Sequence, residues 1–193
     1  MRKSFRRDGE GNGLEANRRS AMITPEYCQV MARYNRWMNE RLYAVVAQIP
    51  DDERKRDRGA FFRSMHGTLN HLLWGDRMWL GRFIDEPCTA PAFGGDLFDD
   101  FAELAREREV TDRKMLDWAG NTTTEWLAGT VAYTSKVDGR TRELPRAVAA
   151  VHLFNHGIHH RGQLTTLLKQ AGRDPGATDL PWLPGVVRFV DPM

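Results

Sequence analysis

The chain has 193 residues, of which 41% are hydrophobic and 28% are charged. This composition predicts one globular domain, large enough to bury a core without covalent staples. The apolar runs are too short to span a membrane, and the N-terminus lacks the apolar segment of a secretory signal. Two cysteines are too few for a disulfide framework, so we expect reduced thiols and a cytoplasmic location.

The net charge of +2 is unevenly distributed along the chain. The first 21 residues carry six basic side chains, three acidic ones and few apolar ones, which leaves −1 on the remaining chain. We therefore expect residues 1–21 to be a disordered basic tail and residues 22–193 to form the folded domain. The domain lacks the basic signature of nucleic-acid-binding proteins, so neither nucleic acid nor a membrane is an expected partner.

The first predicted helix begins at Pro25, behind the N-cap hydroxyl of Thr24, and ends near Pro50. Apolar residues recur in it at three- and four-residue steps, which is typical of an amphipathic helix. A second helix is expected from about Gly59 to Phe83, again on apolar periodicity.

Prolines and glycines interrupt the regular pattern between residues 84 and 98, which predicts a long crossover connection. A third helix is expected to begin at Asp99 or Asp100 and to end at Gly120.

The pair Asp138-Gly139 stands between alternating, β-branched flanks and predicts a short hairpin or extended loop within residues 130–144. Pro145 is suited to the first position of a fourth long helix, and Gly172 to the position just past its end.

The C-terminal segment is rich in proline and apolar residues, and we expect it to pack across the helices with Trp182 as an anchor. The predicted fold class is therefore all-α. Four long helices surround one core, with a long crossover in the middle and a short hairpin before the last helix.

Four of the six histidines lie between residues 152 and 160. His152, His156 and His160 are four residues apart and Gln163 follows three later, so all four lie on one face of the last helix. A buried imidazole without a partner costs roughly 1–3 kcal/mol. A shared metal ion would explain several imidazoles on one buried face, since neutral histidine is a common metal ligand.

His156 and His160 form an i, i+4 pair that can bind one ion, and a third ligand must come from another helix. His71 is the candidate, because Gly75 follows one turn later on the same face and leaves room for an ion or a substrate. His66 is turned about 140° away from His71 and is expected to point elsewhere.

Three alternatives stay open on spacing alone. His159 is an alternative to His160 as the ligand. His152 is either a fourth ligand or a residue at the rim of the cavity. The histidines are also compatible with a structural role that involves no metal.

The chain resembles the DinB family, the damage-inducible, DinB/YfiT-like group of metal-binding four-helix bundles. Three segments carry the resemblance: YNRWMNERLYAVV, FFRSMHGTLNHLLWGDRMWL and HLFNHGIHHRGQLTTLLKQAGRDPGATDLPWL. The similarity runs from about Met22 to Trp182. It implies a metal site at His71, His156 and His160, zinc or nickel as the ion, and a homodimer.

The resemblance implies a site more firmly than a reaction. Some proteins with this fold are thiol-dependent enzymes, including mycothiol-dependent maleylpyruvate isomerase and bacillithiol transferases, while others are classed as metal-dependent hydrolases. Three protein ligands leave an open position, where a thiol is held as thiolate or a water is activated.

The residues between His156 and His160 offer no acid, whereas H-E-x-x-H hydrolases carry a general base there. We therefore expect thiol S-transfer with a glutathione-like thiol and a small-molecule substrate. A metal-dependent hydrolase and a non-catalytic metal-binding stress-response protein are the alternatives.

Other polar and aromatic residues have expected supporting roles. Gln163 is the best candidate to orient a ligand, and the other candidates are Asn35, Asn39, Asp76 and Asn155. Arg161 is expected to pair with Asp76, with a substrate carboxylate as its alternative partner. We expect the core to contain Trp37, Trp74 and Trp79. Neither Cys28 nor Cys88 is expected to supply a nucleophile.

Overall fold

The computed structural model describes residues 22–86, 88, 95–135 and 138–186. Across these residues the protein is mostly helical, with one two-stranded antiparallel sheet. The expected basic tail, residues 1–21, lies outside them. The elements in chain order are α1 (Pro25–Val46), α2 (Asp51–Lys55), α3 (Met65–Phe83), α4 (Phe101–Asn121), α5 (Thr124–Ala128), β1 (Thr130–Thr134), β2 (Thr141–Pro145), α6 (Arg146–Gln170) and a 3₁₀ turn (Leu180–Trp182).

The four long helices pack around a common apolar core. Helix α3 lies against α6 and α4, and α1 lies against α4 and α6. Fully buried side chains from all four helices fill the centre, among them Met38, Leu72, Leu104 and Phe154. None of the described helices combines the length and the apolar character needed to cross a bilayer.

Local capping explains where most of these helices begin and end. The Thr24 hydroxyl accepts a hydrogen bond from the Tyr27 amide at 3.3 Å, and the Asp100 carboxylate accepts one from the Glu103 amide at 2.7 Å. Gly172, just past α6, has φ +70°, a conformation that glycine adopts without strain. The starts of α1 and α4 and the end of α6 agree with the sequence predictions to within a residue or two.

Helix α3 begins six residues later than predicted. The Ser64 hydroxyl caps it by accepting from the Gly67 amide at 3.0 Å, and Arg63 and Gly59 have φ of 64° and +70°. Two left-handed residues this close together cannot continue a helix, so the preceding segment forms a turn. This turn brings Phe62 back over α3, at the position of His71.

The hairpin lies where the Asp138-Gly139 pair predicts it. Its strands pair from Thr130 with Pro145 to Thr134 with Thr141, and Gly139 has φ +69° in the connection. Strand β1 packs on α3 and on α6. The hairpin therefore forms part of the wall between these two helices.

The C-terminal segment packs differently from the prediction. Trp182 is 63% exposed and does not act as the anchor, whereas Leu183 is buried and Leu180 packs on the core. In a 3₁₀ turn of three residues successive side chains point in different directions, so only some of them reach the core.

A buried polar network connects the four long helices. Arg108 of α4 pairs with Asp76 of α3 at 2.6 Å and with Asp112 at 2.8 Å. The amide of Asn35, on α1, donates to both carboxylates and receives a hydrogen bond from Arg161 of α6. Burial disfavours the charge on Arg108, but its two carboxylate partners raise its pKa. The Arg108 guanidinium is therefore paired with both carboxylates, which offsets the cost of burying these charges.

Candidate metal centre

Three imidazoles converge between α3 and α6. The Nε2 atom of His71 lies 3.0 Å from Nε2 of His156 and 3.1 Å from Nε2 of His160. One ligand atom from each ring lies within 4.8 Å of the others, so the three form a group that can hold one metal ion. The structure thus brings together the three residues that the sequence predicts as ligands.

The spacing of these nitrogens fits a divalent ion. Nitrogen ligands at about 2.0–2.1 Å from a tetrahedral zinc are separated from one another by about 3.3 Å. The observed separations of 3.0 and 3.1 Å are close to this value. The Nε2 atom of His71 is therefore suitably spaced from each of the other two nitrogens to share an ion with them.

The protonation of the cluster also suits a metal. Burial, reinforced by the neighbouring imidazoles, lowers the pKa of His71 and that of His156 to about 3. Burial also lowers the pKa of His160, although its hydrogen bond to Gln163 opposes the shift. All three rings are therefore neutral at pH 7 and offer lone pairs rather than positive charges.

Neighbouring residues fix the rings in place. The His160 Nδ1 atom lies 2.8 Å from Oε1 of Gln163, which orients its Nε2 toward the cluster. Phe62 stacks on His71 with ring centroids 3.7 Å apart. Gly75 makes room for His156, because a Cβ at that position would lie 2.9 Å from its Nδ1. The space that the sequence assigned to an ion or substrate is therefore occupied by the imidazole of His156.

The remaining histidines lie outside the three-residue group. His159 is exposed, with Nε2 3.3 Å from the Gln163 amide nitrogen, so it does not replace His160. His152 packs against Trp79 at 5.0 Å between centroids and lines the neighbouring cavity. His66 points away, as predicted, with Nε2 2.9 Å from the carbonyl oxygen of Phe98.

Most other candidates for orienting the ligands have different roles. Asn35, Asn39 and Asp76 belong to the buried polar network, and Asn155 is exposed. The predicted ion pair between Arg161 and Asp76 is wrong, because Asp76 pairs with Arg108 while Arg161 donates to Asn35.

The Cys28 thiol is not a nucleophile of this site. Cys28 is completely buried in the core, and burial raises the pKa of its thiol to about 11. Cys88 lines a different cavity, next to Glu86 and Lys114. Any thiol chemistry at the histidine group would therefore need a thiol from outside the chain.

Two cavities meet at His71. The first has a volume of about 440 Å³, extends along α3 and α6, and is lined mostly by aromatic and histidine side chains. The second has a volume of about 530 Å³ and is more polar. Both reach Phe61, Phe62, His71 and Trp74. The polar residues of the second cavity are Lys55, Asp57, Arg63, Ser64, His66, Asp96 and Asp99.

Several residues at the site were not found from the sequence. The predicted second helix includes Phe62, although the N-cap signal of Ser64 places the start of that helix after Phe62. Arg82 lies on the same face of α3 as His71 and Gly75, and it lines the first cavity. Trp79 is buried in the core, as expected, and also lines this cavity. Trp74 is half-buried and lines both cavities.

The four long helices and the three converging imidazoles define a helical protein with a candidate metal centre. Comparison with known families gives a match to the DinB family over residues 22–186. This chain belongs to the DinB family. It is 22% identical over 159 residues to Protein DinB of Bacillus subtilis (strain 168), with 76% of this chain and 87% of the relative covered.

Proposed function

We propose that this protein is a divalent-metal-dependent enzyme in which His71, His156 and His160 hold the ion and a small thiol is transferred to an electrophile. The observation that carries the proposal is the convergence of three neutral Nε2 atoms at the junction of two cavities. Zinc and nickel are the preferred ions, because imidazole ligands suit both. A bound ion of this kind favours the thiolate form of a thiol.

The two cavities support a reaction with two substrates. The polar cavity suits a glutathione-like thiol, because its lining offers both acidic and basic groups. The aromatic cavity suits the apolar part of the electrophile. In the reaction the thiol loses its proton to solvent, its sulfur forms a bond to the electrophilic carbon, and the leaving group departs with the electron pair.

Hydrolysis is the alternative reaction. No acid is found among the described residues that line the aromatic cavity, so a carboxylate base is missing from this side of the site. His159 favours hydrolysis, because its exposed ring lies 4.8 Å from that of His160, between centroids. A hydrolase of this kind would use His159 as its general base, and His159→Gln would abolish its turnover. A non-catalytic metal-binding stress protein would show no turnover at all.

Metal content and turnover measured on tag-free protein test the proposal. We expect one divalent ion per chain, and transfer of glutathione or another low-molecular-weight thiol to 1-chloro-2,4-dinitrobenzene or a related electrophile. Turnover should require the ion and disappear in His71→Ala, while Arg77→Ala, on the same helix but outside the lining of both cavities, serves as the matched control. If the purified protein contains no metal and added metal does not change its stability, the metal site is contradicted. Full metal occupancy without turnover across a broad panel would favour the non-catalytic alternative.

We also propose the domain bounds, the location and the oligomeric state of the protein, and the family membership supports these assignments. The domain comprises residues 22–193 with residues 1–21 as a separate basic tail, and its four long helices support a DinB/YfiT-like four-helix bundle with a long crossover. It acts in the cytoplasm as a homodimer on a small molecule, without nucleic acid or membrane partners. Sedimentation equilibrium tests the dimer.

A further inference from the structure

Arg82 lies at the end of the aromatic cavity that is remote from the histidine group. Its guanidinium carbon is 4.5 Å from the ring centroid of Trp79 and 4.5 Å from that of Tyr133. The side chain is half-buried, and no carboxylate among the described residues pairs with it. Buried Arg108, by contrast, has two carboxylate partners. Arg82 is therefore a partly dehydrated cation whose described neighbours are aromatic rings.

The charge of the cavity has one sign. None of the described residues that line it is acidic, and Arg82 is the only one with a permanent charge. His152 and Tyr133 stand beside Arg82 and can also donate hydrogen bonds. A divalent ion at the other end would add further positive charge. A ligand with an anionic group is therefore the natural electrostatic complement of this cavity.

The dimensions suggest the size of that ligand. Arg82 follows His71 by eleven residues, which is about 16 Å along the axis of α3. Its side chain leans back toward the start of the helix and over Trp79, which shortens the gap to the histidine group to roughly 10 Å. A carboxylate at Arg82 and a reactive atom at the histidine group would thus be joined by one apolar or aromatic unit.

We propose that Arg82, assisted by Tyr133 and His152, is a subsite for the carboxylate of the substrate, and that the apolar body of this substrate lies along Trp79 and Trp74. A carboxylate fits better than a phosphate, since a single planar guanidinium matches its two oxygens and its single charge. The inference rests on the proposed function, because it specifies the electrophile as a small carboxylic acid whose apolar or aromatic body carries the leaving group. It also assigns a role to the hairpin, which supplies Tyr133.

Direct binding tests the subsite independently of turnover. Quenching of tryptophan fluorescence is measured with benzoate, phenylacetate, trans-cinnamate and 4-phenylbutyrate, each compared with its neutral amide. The protein is used with its metal and again after chelation. We expect at least one acid to bind roughly 10- to 100-fold more tightly than its amide, as charge-assisted hydrogen bonds imply. This preference should persist after chelation.

Variants assign the preference to Arg82. Arg82→Gln should remove the preference for the acid and leave binding of the amide unchanged, and Arg82→Lys should restore part of it, because it retains the charge but not the planar fork. Arg146→Gln is the matched control, since Arg146 also lies over an aromatic ring, Trp126 at 5.1 Å, but is not among the residues that line this cavity. Circular dichroism melting establishes that each variant is folded.

Several outcomes would overturn the subsite. They are equal binding of acids and amides, absence of binding across the panel, and a preference that survives in Arg82→Gln. A preference that requires the metal and survives in Arg82→Gln would identify the carboxylate as a metal ligand instead. The two proposals fail separately: carboxylate binding through Arg82 without turnover refutes only the enzyme, and turnover of neutral electrophiles that is indifferent to Arg82 refutes only the subsite.

Discussion

Gly75→Ala tests whether the packing between α3 and α6 holds the histidine group in its metal-binding geometry. An added Cβ would lie 2.9 Å from Nδ1 of His156 and 3.3 Å from its Nε2. The nearest atom would be Cε1 of the same ring, and ordinary contacts of this kind begin near 3.4 Å, so the ring has to retreat by about 1 Å. Metal–ligand distances tolerate only about ±0.2 Å, so this shift weakens coordination by His156.

The expected result is a loss of metal affinity without a loss of folding. Disturbing the residues that support metal ligands costs about 10- to 100-fold in affinity, and we expect Gly75→Ala to fall in this range. Alanine is favoured over glycine within a helix by about 1 kcal/mol, which offsets part of the steric cost to stability. Competition with a chromophoric chelator measures the affinity, and urea unfolding of metal-free protein measures the stability.

Gly162→Ala is the matched control. Gly162 lies in α6, two residues after His160, and a Cβ there would meet no atom within 4 Å. This variant should gain up to about 1 kcal/mol of stability and keep the affinity of the unsubstituted protein. If Gly75→Ala binds metal as tightly as Gly162→Ala, the contact between Gly75 and His156 does not determine the geometry of the site, and our reasoning on this point is wrong.

Three other perturbations address the ligand orientation, the protonation of the cluster and the buried charges. Gln163→Ala removes the acceptor beside Nδ1 of His160 and should weaken metal binding about 10- to 100-fold in the same competition assay, with a smaller loss in Gln163→Glu. Metal-free protein should lose stability as the pH falls below 6.5 toward 3, by at most about 1.4 kcal/mol per pH unit for each imidazole, because His71 and His156 stay neutral when folded but take up protons when unfolded. Urea unfolding at several pH values checks this slope, and a stability that is constant or rises between pH 6.5 and 5 would contradict it. Arg108→Met leaves two buried carboxylates without their cation and should lower the free energy of unfolding by about 3–5 kcal/mol, whereas exposed Arg36→Met should change it by less than about 1 kcal/mol.

The long helices could be predicted because their signals are local. Apolar periodicity and the caps at Thr24 and Asp100 depend on neighbouring residues only, and the structure keeps them. The start of α3 was misplaced because apolar residues before Ser64 imitate helical periodicity. Arg63 adopts a left-handed conformation, which prevents α3 from starting earlier. Because this residue is not a glycine, the sequence does not reveal the break.

The ligand positions could be predicted for a similar reason, whereas their surroundings could not. Helical spacing places His156 and His160 on one face, and only one histidine of α3 faces them. The stacking of Phe62 and the approach of Tyr133 depend on a turn and a hairpin that fold back over the helices. Such contacts join residues far apart in the chain, and no periodicity encodes them.

Two polar residues near the ligands in sequence explain how α3 and α6 are kept in register. Asp76 directly follows Gly75, and Arg161 directly follows His160, yet both point into the buried polar network. A sliding of α3 along α6 by one turn would move His71 about 5 Å from its partners and would also separate Asp76 from Arg108. Breaking a buried ion pair costs about 3–5 kcal/mol, which is a large share of the stability of a domain. The network therefore penalises misalignment of the two helices even before a metal binds, and we expect the histidine group to be largely formed in the metal-free protein.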